Sequence, residues 1–293
     1  MSVDSPGKAL DIMLVVDVVR AEEKLIWRAL LQEGLKVAVV NVNQTPLSSE
    51  ECRARAALIR PVSMYKATYS AAVLESGGCI SINSSSSILT CGDKILTYSR
   101  LKRSGIPVVE SIIAMHSNAA LRALLSMKKP LVDKPPIGSW GRMVSLIRDN
   151  NDAKTVVEHR EMLHCTQEKV HVIQNFIDTG GEDVRCIVVG GECVGCIKRI
   201  AGREEWRANV ALGGTVEPLS GTEGLELLSE LSIKATEAVG AFYAAVDILR
   251  SKSEGPLLVN EVNGVPEFKG FMRATGINVG NILVKKILEF IRK

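Results

Sequence analysis

No apolar run in the 293 residues approaches the roughly 20 that a helix needs to cross a bilayer, so a membrane-spanning protein is not expected. The opening MSVDSPGKALDIMLVV contains a short apolar segment but no small-residue cleavage site after it, and reads as a first strand rather than a signal peptide. A cytoplasmic protein is expected. Net charge is only +3, too small to argue for nucleic acid, where a clustered basic face would be needed. It would suit an acidic partner or an anionic substrate. The seven cysteines are scattered and odd in number, which fits a reducing compartment better than a disulfide framework. Cys193 and Cys196 form a C-x-x-C in GGECVGCIKRI, but no second pair with zinc spacing follows, so a metal is not expected there. Histidine is scarce, with four in the chain; His159, His164 and His171 cluster loosely and read as surface or loop residues. There is no internal repeat.

What is present is an ordinary globular composition, 46% apolar and 24% charged, and enough length for two or three lobes. Residues 1–90 read as alternating strand and helix. DIMLVVD is a strand. RAEEKLIWRALLQEG is a helix with Leu25, Ile26, Ala29 and Leu30 on one face, Glu22 and Glu23 in its first turn and Gly34 as its stop. LKVAVVNV then returns as a buried strand, and two strands joined by a helix make a right-handed parallel unit. NSSSSILTCGD follows as a polar linker with neither helical nor strand period, marking a lobe boundary. Residues 91–173 mix a helix from Asp93 to Gly105, a strand starting at IPVVES and another at PLVDK. From Val170 the pattern turns strand-rich, and a third unit spans 174–293, with a long helix from about Leu225 to Val239 before the strands AAVDILR and LLVNEVN.

Two stretches carry chemistry. KPPIGSWGRMV sets Gly138 and Gly141 around a polar loop between two strands, and glycine lets backbone N–H groups approach phosphate oxygens closely. It is not a Walker A loop, because Lys134 precedes the glycines on a strand; a plain surface hairpin is the competing reading. LLVNEVNGVPEFKGF interrupts an apolar run with Asn260, Glu261 and Asn263. Strand alternation puts Glu261 and Asn263 on one face and Val262 on the core side. A hairpin turn centred near Glu254 would set Asp247 opposite Glu261. Two carboxylates and an amide oxygen then converge, the hard oxygen set that suits Mg²⁺ bridging nucleotide phosphates; a salt-bridged strand surface is the alternative. Arg185, Lys198, Arg199 and Arg207 lie on or beside strands near Asn209, and together look like the lining of a phosphate-transfer cleft.

With LVVDVVRAEEKL, GDK, KPPIGSWGR, QNFIDTGGEDVR, RAN and NEVN in place, the chain resembles the ATP-grasp carboxylate–amine ligases over nearly its whole length. The resemblance implies an ATP-grasp fold of mixed α/β and α+β character. A parallel-sheet pre-ATP-grasp domain would span 1–90, and the nucleotide would lie between two α+β lobes, 91–173 and 174–293. ATP and Mg²⁺ are the implied cofactors. Lys94 and Lys134 would contact ATP phosphates beneath a closing loop of Gly138, Ser139, Trp140, Gly141 and Arg142. Gln174, Asn175, Phe176 and Ile177 would form the hinge beside the adenine, and Asp183 and Arg185 would complete the nucleotide pocket. Arg199 and Asn209 would act at the transferring phosphoryl group, with Asp247, Glu261 and Asn263 holding Mg²⁺. Asn175 stands where relatives often carry glutamate, so it would accept a hydrogen bond without a charge.

VRAEEKL and NEVNGVPEFKGF are most similar to the LysX and ArgX type of ligase, which attaches α-aminoadipate or glutamate to the acidic carrier protein LysW in lysine or arginine biosynthesis. Gly270 and Phe271, after EFK, form the pair of the glutamate-attaching enzymes, where a bulky Phe271 would shorten the pocket for the shorter acid. The resemblance therefore implies glutamate as substrate, LysW as partner, a homo-oligomer (dimer or tetramer), and neither nucleic acid nor membrane as partner. Also open are an α-aminoadipate or dual-specificity enzyme, a RimK-like protein glutamate ligase, and a non-catalytic ATP-binding module as in synapsins. The intact Asp247, Glu261, Asn263 set argues against the last.

Overall fold

The computed structural model describes residues 10–203, 205–219, 224–253 and 255–292. Strands β1 (Leu10–Val16), β2 (Val37–Asn41), β3 (Ala54–Ile59) and β4 (Ile80–Ile82) form a parallel sheet in the order β2-β1-β3-β4, crossed by α1 (Ala21–Gln32) and α2 (Met64–Ser76). The near-continuous apolar β1 lies centrally, as strands covered on both faces do. LKVAVVNV, expected to be buried, is the sheet edge, and no residue of β2 is fully buried. Gly34, at φ 75°, follows the end of α1. The acids of the first turn do more than face the helix dipole: both are buried. Glu23 accepts hydrogen bonds from Arg20 and Arg60, and Glu22 from the backbone N–H of Lys269.

NSSSSILTCGD is a helix rather than a linker. Ser84 accepts from the Ser87 N–H and caps α3 (Ser85–Gly92), whose Ile88 and Cys91, three residues apart, turn inward. Serines have weak helix propensity, so the cap and the tertiary packing carry a helix that composition conceals. Asp93 then caps α4 (Lys94–Arg103) through two backbone N–H groups.

The second sheet holds β5 (Ser111–Ala114), β6 (Leu131–Lys134), β7 (Ser145–Ile147) and β8 (His171–Asn175) in the order β5-β8-β6-β7. Helices α5 (Ser117–Ser126) and α6 (Asn150–Glu161) pack on it through Ala120, Leu124, Ala153 and Val157. The strand expected from IPVVES begins only at Ser111. His171 is not a surface residue. It is buried in β8 with Nδ1 3.0 Å from Asp133, whose other oxygen accepts from Arg160 at 2.6 Å. The carboxylate pairs with the ring nitrogen and the guanidinium with the carboxylate, partners that sequence spacing does not reveal.

The third sheet is antiparallel: β9 (Glu182–Val189), β10 (Glu192–Ile200), β11 (Thr215–Pro218), β12 (Tyr243–Arg250) and β13 (Leu257–Asn263), ordered β11-β10-β9-β12-β13. On one face α7 (Leu225–Ala238) packs through Leu228 and Ala235 against Cys186, Cys196, Val259 and Val262. On the other face Ile187, Val189 and Ile197 join a core shared with β1, α8 (Lys269–Thr275) and α9 (Val279–Arg292). Two bulges interrupt the ladders, one at Val194 and Gly195 opposite Ile187, the other at Asn260 between Val259 and Glu261. The turn expected near Glu254 falls on a residue outside those described. Two cysteine pairs are joined, Cys52–Cys79 and Cys186–Cys196, contrary to the expectation of free thiols. Cys186 and Cys196 are register partners across β9 and β10, a proximity created by folding alone. Among the described residues no helix is long and apolar enough to cross a membrane.

Candidate active site

Asn260 and Glu261 of LLVNEVN face a cleft between the second and third sheets. Asp247 of β12 stands in register with Glu261 of β13. The bulge turns Asn260 and Glu261 both away from α7, while Val259 and Val262 remain buried. Asn260 accepts a hydrogen bond from Lys134 Nζ at 2.9 Å, and Glu261 lies 3.8 Å from Lys94 Nζ. Strict alternation would put Asn260 on the opposite face from Glu261, so only the bulge brings it to the cleft. Burial, reinforced by the Lys94 ammonium, pushes the Lys134 amine down to about 8.

Most of the expected nucleotide residues line this cleft: Lys94, Lys134, Gly138, Trp140, Gly141, Arg142, Gln174, Asn175, Phe176, Ile177 and Asp183; Arg185 does not, and faces the second cavity instead. Gln174 donates to Ser111 Oγ at 2.8 Å, and the Phe176 ring meets Trp206 edge-on. The loop between β6 and β7 is held at both glycines. Lys94 Nζ donates to the Gly138 carbonyl at 2.9 Å, and Arg207 Nη1 to the Gly141 carbonyl at 2.6 Å. Trp140 and Gly141 have φ of 60° and 70°, and a Cβ at Gly141 would lie 3.0 Å from Asn209 Oδ1, so a side chain there would be both strained and crowded. Ser139 does not line the cleft; its carbonyl accepts from the Arg142 N–H and shapes the turn. Lys198 does not reach the cleft either. It faces the other way from Arg199 and pairs with Glu182 at 3.2 Å.

A charge network closes the floor. Arg199 is buried, donates to both oxygens of Asp183 at 2.6 and 2.5 Å, and lies 3.0 Å from Asp247. Arg185 holds both oxygens of Asp247 at 2.7 Å. Burial opposes the charge on Asp247, but the Arg185 and Arg199 guanidiniums outweigh it and hold this carboxyl below its usual range. Burial dominates at Asp183, whose carboxyl is raised in spite of Arg199. Arg199 stays charged, because the two carboxylates overcome its desolvation.

The donor set fits a hard divalent cation. A carboxylate offers about four lone-pair directions, and three donated contacts at Asp247 leave capacity for another ligand. Glu261 is engaged only loosely by Lys94, which leaves its oxygens open to a further ligand. Asn263 does not itself line the cleft.

A second cavity lies behind Arg199 and is bounded by Arg20, Arg185, Lys269, Gly270, Phe271 and Arg273, among others. Arg20 is held by Glu23 and reaches Glu267 at 2.9 Å. A Cβ at Gly270 would meet only Val216 methyls, at 3.8 and 3.9 Å. Phe271 is buried in the core and contributes wall rather than a projecting plug; its ring lies against Gly195 of the β10 bulge.

Two sheets of α+β lobes around a cleft with a lysine pair, a glycine loop and a carboxylate–amide set define an ATP-grasp fold. Comparison with solved structures agrees. The RimK domain ATP-grasp protein of Sphaerobacter thermophilus superposes with a TM-score of 0.74 at 24% identity, over 95% of this chain and 99% of that one. The D-alanine–D-alanine ligase of Bacillus anthracis gives 0.71 at 20% identity, over 97% and 98%. In sequence, the RimK-like ATP-grasp domain matches residues 91–289. The glutamate–LysW ligase ArgX of Sulfurisphaera tokodaii is 51% identical, over 95% of this chain and 98% of its own length. The α-aminoadipate–LysW ligase LysX of the same organism is 33% identical, over 80% of each. The chain belongs to the RimK-like ATP-grasp family.

Proposed function

We propose that this chain is a ligase that uses ATP and Mg²⁺ to join the amino group of glutamate to the terminal glutamate side-chain carboxylate of an acidic carrier protein of the LysW kind, as in arginine biosynthesis. The observation that carries the reading is the position of Arg199, a buried guanidinium common to the nucleotide cleft and the second cavity. A phosphoryl donor on one side and a carboxylate acceptor on the other would meet there. The 51% identity to the glutamate ligase, against 33% to the α-aminoadipate ligase, supports glutamate.

In this reading a carboxylate oxygen of the carrier attacks the γ-phosphorus of ATP, ADP leaves and an acyl phosphate forms. The glutamate amine then attacks the acyl carbon, phosphate leaves, and the nitrogen sheds its proton as the amide forms. Lys94, Lys134 and Arg199 offset charge on the transferring group, with Asn209 beside them. Mg²⁺, held by Asp247, Glu261 and Asn263, would neutralise phosphate charge. The 138–142 loop would close over the phosphates and keep water from the acyl phosphate. Arg20, Lys269 and Arg273 suit the carboxylates of an acidic amino acid and an acidic carrier tail. The same reading has three lobes with boundaries near residues 90 and 173, beyond the ends of α3 and β8, and a homo-oligomer in the cytoplasm.

The test is ADP release with a LysW-type carrier, measured as kcat/KM for glutamate and for α-aminoadipate. Glutamate should be preferred. Preference for α-aminoadipate would transfer the assignment to lysine synthesis, and carrier-independent turnover would remove the carrier from it.

A further inference from the structure

Two neighbouring carboxylates of α1 are buried, and their surroundings differ. Glu23 is 1% exposed and accepts hydrogen bonds from the guanidiniums of Arg20 and Arg60 and from the Arg20 backbone N–H. Glu22 is 4% exposed, yet it forms no ion pair among the described residues, and its one hydrogen-bond partner there is the Lys269 backbone N–H, 3.2 Å from Oε1. Consecutive residues leave a helix in different directions, because 3.6 of them complete a turn. Glu23 therefore meets Arg60, while Glu22 lines the second cavity.

A buried carboxylate without a cation is costly. The helix N-terminus offsets part of that charge, but a carboxylate offers about four lone-pair directions, and Oε2 has no partner among the described residues. Arg20 does not supply the missing cation, since Glu23 and Glu267 engage it. The charged groups that bound the cavity with Glu22 are Arg20, Arg185, Arg199, Glu267, Lys269 and Arg273, all cations but Glu267, which is exposed and paired with Arg20. Glu22 is thus a buried, unpaired anion in a cationic cavity. A ligand that satisfies both needs carboxylates and one ammonium, and an acidic α-amino acid has them.

We propose that Glu22 is the catalytic residue that receives the amine of the incoming amino acid, binding its ammonium and accepting the proton that must leave before the nitrogen can attack. The inference rests on the ligase reading above and names the group that handles the nucleophile. An α-amino group is largely protonated at neutral pH, and an ammonium has no lone pair. Glu22 Oε2 pairs with the ammonium through a charge-assisted hydrogen bond and takes one proton, leaving a neutral amine and a carboxylic acid. The amine lone pair forms the N–C bond to the acyl carbon, and the C–O bond to phosphate breaks. The departing phosphate takes the second proton, and the third stays as the amide N–H. Glu22 returns its proton to water as the product leaves. Arg199 lines both the cleft and this cavity, so an acyl phosphate formed at Arg199 is presented to the cavity that Glu22 lines.

The experiment compares two nucleophiles on one acyl phosphate. ADP release is measured with the full-length protein, ATP, Mg²⁺ and a LysW-type carrier, with either glutamate or hydroxylamine as the amine. Hydroxylamine is already neutral at neutral pH and carries no carboxylate, so it needs neither Glu22 nor the cations, and the carrier hydroxamate it forms is read by mass spectrometry. Glu22→Gln keeps an oxygen for the Lys269 N–H and removes the charge. Its kcat/KM for glutamate should fall by about 10²-fold or more, while hydroxylamine-supported release stays within about twofold of wild type. Glu22→Asp keeps the charge on a shorter arm and should show a smaller split of the same sign, which carries the test if Glu22→Gln fails to fold. Equal loss with both amines in both variants, or loss with neither, would overturn the role of Glu22 alone. A wild-type protein that forms no carrier hydroxamate would overturn the ligase reading, and this inference with it.

Discussion

In β13 the extra residue, Asn260, turns toward the cleft and meets the Lys134 ammonium, whereas in β10 the bulged pair, Val194 and Gly195, turns toward the core, Gly195 against the Phe271 ring. Both bulges belong to one antiparallel sheet, and both keep a flanking pair, Val259 with Val262 and Cys193 with Cys196, on the α7 side. What a bulge serves depends on what faces it. Where lysines line a cleft, it admits an amide and a carboxylate to a strand that otherwise buries its side chains. Where a core faces it, it admits a backbone with no Cβ. The cleft-side bulge should therefore govern catalysis, and the core-side bulge the shape of the second cavity.

The widest separation between the two is expected from Glu261→Gln. The amide keeps the shape and removes the negative charge that, beside Asp247, would hold the cation. Carrier- and glutamate-dependent ADP release should fall by about 10²–10³-fold. The fold should persist, because among the described residues the ion pair lost is the loose one to Lys94, at 3.8 Å, a separation longer than a hydrogen bond. Near-normal turnover at saturating Mg²⁺ would show that Glu261 is not part of the cation site.

The two bulges also mark where sequence stops being legible. The β12–β13 hairpin, the opposition of Asp247 and Glu261, and the loop between β6 and β7 all follow from alternation and glycine placement, and the structure has them. Asn260 does not follow, because a bulge shifts alternation by one residue and leaves no compositional mark. The pairing of Arg199 with Asp183 rather than with substrate alone, the burial of His171 against Asp133, and the Cys186–Cys196 bond are likewise contacts between strands. Each depends on register, which sequence fixes only through the hydrophobic pattern. Helix α3 was missed for a different reason: its serines carry no helical signal, and a cap with two inward apolar side chains suffices once α2 and β13 are beside it.

A smaller effect, confined to the cleft, is expected from pH. Lys134 falls from the ordinary 10.5 to about 8 through burial and the neighbouring Lys94, so in the free protein its amine is mainly charged below about pH 8 and neutral above it. Phosphate binding favours the charged form. The apparent KM for ATP should rise by about tenfold between pH 7 and pH 9, the fall in the charged fraction over that interval. Lys134→Arg should flatten the profile, since a guanidinium stays charged throughout. For stability the sign is opposite. Between about 8 and 10.5 the unfolded chain binds more protons at this group than the folded one, so Lys134 makes stability rise with pH across that window. An ATP profile that Lys134→Arg leaves unchanged would locate the titrating group elsewhere.

The finest test addresses the core-side bulge alone. Gly195→Ala places a methyl group in a backbone conformation that L-residues rarely adopt, 3.2 Å from Phe271 Cζ. The backbone strain is expected to cost about 1–2 kcal/mol, read as a lower Tm. The ring is buried in a close-packed core, so it can yield only by a few tenths of an ångström, and the wall of the second cavity shifts with it. KM for glutamate should then rise by about threefold, a small misplacement effect, while KM for ATP stays unchanged, because Gly195 does not line the cleft between the second and third sheets. A change in both KM values would mean that the two bulges are coupled through the sheet. A lower Tm with neither KM altered would mean that Phe271 shapes the core without shaping the substrate cavity, and that selection between the two acids rests on Gly270 and the cations around it.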